Sequence, residues 1–191
     1  MRLFVGVEIG EQVAAAAASL VDELRRRAQR LAPRARITWI SQDRFHLTVR
    51  FIGNVDDAAA RAITAGLAPP LAIAGFDLSL AGVGAFPRTG RPQVLWCGVV
   101  RGHESLQQLE GAVSDRLAKI GVRREDRAYR PHLTLARVRD AAGMKSQPLC
   151  SGLEERSLGT TRVEAITLFE SRLSPKGSTY IPVQRALLSP L

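Results

Sequence analysis

Two histidines in matched settings are the first residues with chemistry to offer. Arg44-Phe45-His46-Leu47-Thr48-Val49-Arg50-Phe51 returns later as Arg130-Pro131-His132-Leu133-Thr134-Leu135-Ala136-Arg137. Each copy holds a His, an apolar residue, a Thr and a second apolar residue. The chain has only three histidines, and two of them stand in this repeat. In an extended strand, residues two apart share a face. His46 and Thr48 therefore point one way, as do His132 and Thr134. Phe45, Leu47, Val49 and Phe51 form the opposite, core-seeking face. The same alternation puts Arg44 and Arg50 on the His46 side.

Two such polar faces brought together supply two imidazoles, two hydroxyls and nearby guanidinium groups. A neutral imidazole takes a proton from water or a hydroxyl, and a protonated one gives a proton to a leaving oxygen. Both states are reachable because the ordinary histidine pKa lies near working pH. Hydroxyls and arginines hold non-bridging phosphate oxygens and offset charge in the transition state. That is the equipment for phosphodiester cleavage by acid–base chemistry, with no metal and no cofactor called for. One His-x-Thr in a strand is an ordinary event; its repetition makes it a candidate site.

The elements needed to position these strands read twice in one order. Residues 2 to 8 form an apolar strand. A helix spans about 11 to 31, with Val13, Ala17, Leu20, Val21, Leu24, Ala28 and Leu31 at helical spacing. A short strand at 37 to 40 leads into the first His strand, 44 to 51. A helix to about 67, capped by Asp56 or Asn54, and a strand over 71 to 84 follow. Strand 94 to 100, helix 104 to 120 and the second His strand, 131 to 138, repeat the order. Residues 140 to 160 are turn-rich. Strands 161 to 173 and 179 to 188 form a closing hairpin around the turn Ser174-Pro175-Lys176-Gly177-Ser178. The expectation is an α+β chain of one bilobal domain, 1–191. Its approximate duplicated halves, 1–90 and 91–191, are related by a pseudo-twofold axis. Antiparallel sheets line a central cleft, with helices outside.

Bulk properties agree with such a protein. An apolar fraction of 46% over 191 residues suffices for a buried core. No run of residues is apolar enough to cross a membrane as a helix. The opening Met1-Arg2-Leu3-Phe4-Val5-Gly6-Val7-Glu8 places an acid where a secretion signal continues apolar. Cys97 and Cys150 make neither a disulfide framework nor a zinc site. A cytoplasmic monomer is expected. The net charge of +9 favours a polyanion. Arg88 and Arg91, in the loop after Phe86-Pro87, are candidates to touch an RNA backbone. His103 opens a helix and reads as a surface or capping residue. Trp39, Phe45 and Tyr180 are candidates for stacking a base, with Phe45 on the core face.

The sequence resembles the two-histidine phosphoesterases, and within them the RNA 2′,3′-cyclic phosphodiesterases, also called the 2′-5′ RNA ligase family. The resemblance runs through residues 1 to 8, Trp39, His46 to Gly53, Phe86-Pro87, Leu95-Trp96, Pro131 to Arg137, Ser171 to Ser174, Gly177 and Tyr180. It implies hydrolysis of RNA 2′,3′-cyclic phosphate ends to 2′-phosphates, with RNA ends or nucleoside 2′,3′-cyclic phosphates as substrates. It implies that His46 is the proton donor to the departing 3′ oxygen and His132 the proton acceptor from water. It also implies that Thr48, Thr134 and Arg137 bind the phosphate. Strict alternation puts Arg137, five residues beyond His132, on the opposite face, so either the strand bends or bulges there or Arg137 reaches the phosphate from the strand's end. Two further readings stay open. The same site run in reverse joins tRNA halves through a 2′-5′ bond, and a chain with both motifs can also bind RNA or nucleotides without turnover.

Overall fold

The computed structural model describes residues 1–174 and 177–190. Pro175 and Lys176 of the expected turn lie outside the described residues. The elements are β1 (Arg2–Glu8), α1 (Glu11–Leu31), β2 (Arg36–Trp39), a 3-10 turn (Gln42–Arg44), β3 (His46–Asn54), α2 (Asp57–Leu67) and β4 (Leu71–Ala72). Then come β5 (Phe76–Phe86), β6 (Val94–Arg101), α3 (His103–Ala118), β7 (His132–Asp140), α4 (Ser146–Cys150), β8 (Ser157–Val163), β9 (Ala165–Ser174) and β10 (Gly177–Ser189).

The strands make one continuous path, β4-β10-β9-β1-β3-β7-β6-β5-β8, with β2 added on β7. Among the described pairings only β4 with β10 is parallel. The path has a narrow waist: β3 and β7 meet at a single registered pair, Leu47 opposite Leu133. Two wings flank that waist. One contains β1, β3, β4, β9 and β10, and the other β2, β5, β6, β7 and β8. Each half of the sequence contributes strands to both wings.

Helix placement follows the apolar stripes. α1 buries Val13, Ala17, Leu20, Val21 and Leu24, and it packs on β8, α4 and β7 of the second wing. α3 buries Leu106, Leu109, Val113 and Leu117 and packs against β3 of the first wing and against α2. Each helix thus follows a strand of one wing and covers the other, a crossed arrangement that ties the wings together behind the waist. Leu47, Val49, Leu133 and Leu135 join these helices in one core and are at most 2% exposed. Burying each such side chain contributes roughly 1.5–3 kcal/mol. α2 starts at Asp56, whose carboxylate accepts from the Ala59 amide at 2.8 Å. That is the expected cap.

Three expectations change. The first His strand begins at His46, because Gln42–Arg44 close a 3-10 turn. The strand expected over 71 to 84 divides into β4 and β5. The strand expected from 161 to 173 is two strands, β8 and β9, broken at Glu164. β8 pairs with β5 in one wing and β9 with β1 in the other. No turn-former stands at Glu164, so the sequence does not show the chain changing wings there. The turn-rich stretch 140 to 160 holds α4 and the start of β8.

Candidate active site

Antiparallel pairing of Leu47 with Leu133 fixes the centre of the site. Continuing that register by one residue in each direction sets His46 opposite Thr134 and Thr48 opposite His132. Each imidazole thus lies across the waist from the other strand's hydroxyl.

The two histidines are oriented by the same bond. His46 Nδ1 donates to the Arg44 carbonyl at 2.9 Å, and His132 Nδ1 donates to the Arg130 carbonyl at 2.7 Å. A carbonyl only accepts, so Nδ1 carries the hydrogen in both rings and Nε2 is left to react. His46 Nε2 is 3.2 Å from Thr48 Oγ1, whose hydroxyl donates to the neutral ring. Aromatic walls steady the rings. Phe4 lies 4.8 Å and Tyr180 5.0 Å from the His46 ring centroid, Tyr180 edge-on. Phe86 stands edge-on to His132 at 5.2 Å and also packs on Trp96 at 5.1 Å. Gly6 leaves room beside His46: a Cβ there would come 3.3 Å from its Cδ2.

Both imidazoles have pKa values below the ordinary 6.5. Burial is the main cause in each, since it disfavours the charged ring. The carbonyl bonds at Nδ1 oppose it. The Arg137 cation lowers both values further, and the charge of His132 adds to the effect on His46.

Arg137 reaches the site through a β-bulge. Along β7, Trp96 of β6 pairs with Thr134 but Leu95 pairs with Ala136, so Leu135 has no partner. One extra residue reverses the alternation beyond it. Ala136 turns into the core at 0% exposure, and Arg137 comes round to the histidine side. There it lines a hollow of about 360 Å³ with His46, Thr48, Phe51 and Arg139. The sequence-based conflict over Arg137 is resolved in favour of the bulge.

The same device displaces Arg50, which the alternation placed beside His46. Val5 pairs with Arg50 and Gly6 with Thr48, leaving Val49 unpaired in β3. Arg50 therefore turns inward and is 4% exposed, donating from Nη2 to the Arg123 carbonyl. It is corrected from a substrate-facing cation to a buried one. Phe51 takes the place that Arg137 has on the other strand.

The remaining candidates divide. Arg88 lines a hollow of about 600 Å³ beside His132, with Trp96, His103 and Arg130. Arg91 opens onto a separate hollow, with Arg88, Met144, Lys145 and Gln147. His103, read as a surface residue, lines the wall of the His132 hollow. Phe45 is 7% exposed in the core, while Trp39 packs half-buried against it, with Arg25 over its ring. Phe4, Arg139, Ser171 and Ser178 were not singled out from sequence, yet all border the His46 hollow with Tyr180. Their strands are β1, β7, β9 and β10, and only sheet order brings those together. Among the described residues, no group of three or more His, Cys, Asp or Glu is placed to hold a metal ion. Cys97 and Cys150 are buried free thiols, pushed up to about 12 and about 11 mainly by burial.

The model of the 2′-5′ RNA ligase superfamily matches residues 13–174. The chain belongs to that superfamily. An RNA 2′,3′-cyclic phosphodiesterase of Aeropyrum pernix is 34% identical over 142 residues, or 74% of this chain and 80% of its own length. One from Archaeoglobus fulgidus is 30% identical over 180 residues, covering 94% and 96%. Among solved structures, a Thermus thermophilus protein aligns with a TM-score of 0.76 at 24% identity, over 98% of both chains. Escherichia coli LigT complexed with 3′-AMP aligns at 0.70 and 24% identity, again over 98% of both. These two solved structures share this winged α+β fold.

Proposed function

We infer that this chain is an RNA 2′,3′-cyclic phosphodiesterase that opens cyclic phosphate ends to 2′-phosphomonoesters. The observation that carries the reading is the pair of imidazoles at the waist. Each is fixed by an Nδ1 bond to the carbonyl two residues earlier, which turns Nε2 towards the site.

In the proposed reaction His132 Nε2 takes a proton from water as its oxygen bonds to phosphorus. The bond from phosphorus to the 3′ oxygen breaks, and His46, protonated, delivers its proton to that oxygen. Thr48, Thr134 and Arg137 hold the non-bridging oxygens. His46 ends neutral and His132 protonated, and exchange with solvent resets them. In the free protein both rings favour the neutral form. The substrate's negative charge works against this and supports protonation of His46. Arg88 and Arg91 extend the basic surface towards the rest of an RNA strand.

Replacing either histidine by Ala should cut turnover of adenosine 2′,3′-cyclic phosphate by roughly 10²- to 10⁴-fold, with EDTA having no effect on the unaltered protein. Near-full activity in His46→Ala overturns the assignment. Identification of the 2′-phosphate as product separates it from ring opening in the other direction.

The hollow beside His132 supports a second reading. At about 600 Å³, with Arg88 and Arg130 on its wall, it is far larger than a water needs. A 5′ hydroxyl of another RNA end placed there would attack in water's place and form a 2′-5′ bond. Incubation with paired tRNA halves tests this by whether joined product accumulates. No described helix is long and apolar enough to cross a membrane. A cytoplasmic location and a monomeric state belong to the same proposal, and fractionation and sizing chromatography test them.

A further inference from the structure

His46 and His132 are held by equivalent carbonyls, but the segments supplying those carbonyls are built differently. Arg44 ends a 3-10 turn, with its amide on the Ser41 carbonyl at 3.0 Å, its Nε on Ser41 Oγ at 2.8 Å and its Nη1 on the Ser178 carbonyl at 3.1 Å. Turn and side chain together fix that carbonyl. Arg130 ends an irregular segment, 123 to 131. Among the described residues this segment makes no backbone-to-backbone hydrogen bond outside the helices and strands. Its side-chain ties include exposed pairs, Arg123 with Asp126 and Arg124 with Asp115. Such pairs contribute little.

Tyr129 packs against the core, and the buried hydrogen-bonded tie comes from Arg50. Its Nη2 donates to the Arg123 carbonyl, and its Nη1 lies 3.8 Å from a Glu125 oxygen. That second distance is too long for a hydrogen bond, and Arg50 Nε and Nη1 are buried without one. A guanidinium so placed is costly to desolvate. The corresponding position on β7, after the matching bulge, is Ala136, so the frame does not require a cation there. Arg50 sits two residues beyond Thr48 on the strand that carries His46. Its tie therefore joins β3 to the start of the segment that leads into His132, beside a waist where strand pairing gives only Leu47 with Leu133.

We propose that Arg50 is a positioning residue: by anchoring segment 123–130 to β3, it holds the Arg130 carbonyl that orients the His132 ring. Its proposed action runs through the Arg130 carbonyl and not through a bond to the phosphate. The inference rests on His132 being the reacting base, but its primary readout is independent of turnover.

The test is Arg50→Met, which fills the volume and removes the donor. Melting temperature should stay level or rise, because an imperfectly paired buried charge is lost. At the same time kcat should fall about 10- to 100-fold, the scale of a misplaced catalytic group. Nitrogen-resolved NMR of the imidazoles should show His132 passing from the Nδ1–H tautomer to a mixture while His46 is unchanged. Arg50→Lys restores one hydrogen bond to the Arg123 carbonyl and should recover most of the turnover and the single tautomer. A Met variant with unaltered kcat and His132 tautomer overturns the proposal, as does one in which both histidines are disturbed alike. If the Met variant does not fold, Arg50→Lys decides: a mixed His132 tautomer there overturns the tether. An active His132→Ala enzyme would sink the functional reading while leaving the tautomer result to judge the tether.

Discussion

Arg137→Gln is the substitution with the most to say about the site. It keeps a side chain able to hydrogen-bond and removes only the charge. Two effects follow, and they act on different observables. A charge-assisted hydrogen bond to a phosphate oxygen contributes about 1.5–3 kcal/mol, which corresponds to roughly 10- to 150-fold in kcat/KM. Arg137 is exposed, so the lower part of that range is expected. The second effect runs through the histidines. Arg137 lowers the proton affinity of both, so removing its charge should raise both values. The bell of kcat/KM against pH must then move to higher pH while its height falls. The assay is turnover of a nucleoside 2′,3′-cyclic phosphate between about pH 4.5 and 9 at fixed ionic strength, with Arg139→Gln as a neighbour control. A lower bell with its maximum unmoved would mean that Arg137 does not face the imidazoles. An unchanged bell would remove it from the site altogether.

Other outcomes follow from the same geometry. In the unaltered protein the kcat/KM bell should peak on the acid side of 6.5, since both histidine values are lowered; a maximum above about pH 7.5 contradicts this. Folding stability should fall as pH drops below 6.5, where the unfolded chain takes up protons that the buried rings resist. Replacing both histidines by Gln should flatten that acid limb in denaturant titrations, and an unaltered limb would count against the burial effect. Gly6→Ala places a methyl 3.1 Å from the Leu47 carbonyl and 3.3 Å from His46 Cδ2. It should cost about 1 kcal/mol or more of stability and reduce kcat more than it raises KM. Gly84→Ala drives a methyl into the Trp96 ring, so urea unfolding followed by Trp fluorescence should show a loss of about 1–3 kcal/mol.

How much of this was legible beforehand depends on the range of the interactions. His46, Thr48, His132 and Thr134 are separated within each copy by one residue, so local alternation gives their common face. The helices over about 11–31 and 104–120 announce themselves by apolar spacing, and the cap at Asp56 or Asn54 by its chemistry. The misreading of Arg50 and the conflict over Arg137 have one origin: each lies beyond an unpaired residue, Val49 or Leu135, that is as apolar as any strand residue. Nothing in a Val or a Leu marks a bulge. Ser171 and Ser178 were out of reach for another reason. They approach His46 only after the hairpin of β9 and β10 returns to β1, a pairing set by sheet order. The change of wing at Glu164 hides in the same way.

The matched bulges also bear on the direction of the reaction. A frame with twofold equivalence offers no preference between its two ends; an in-line displacement run through it could enter from either side. The fifth residue after each histidine breaks that indifference, because one strand presents the ring of Phe51 and the other the cation of Arg137. Arg2 lies over the Phe51 ring at 5.1 Å, so even the charge on that side is held at one remove, across an aromatic face. The pair of histidine strands has thereby acquired a front and a back. The inequality resides in the pair of positions that the slipped register turns outward.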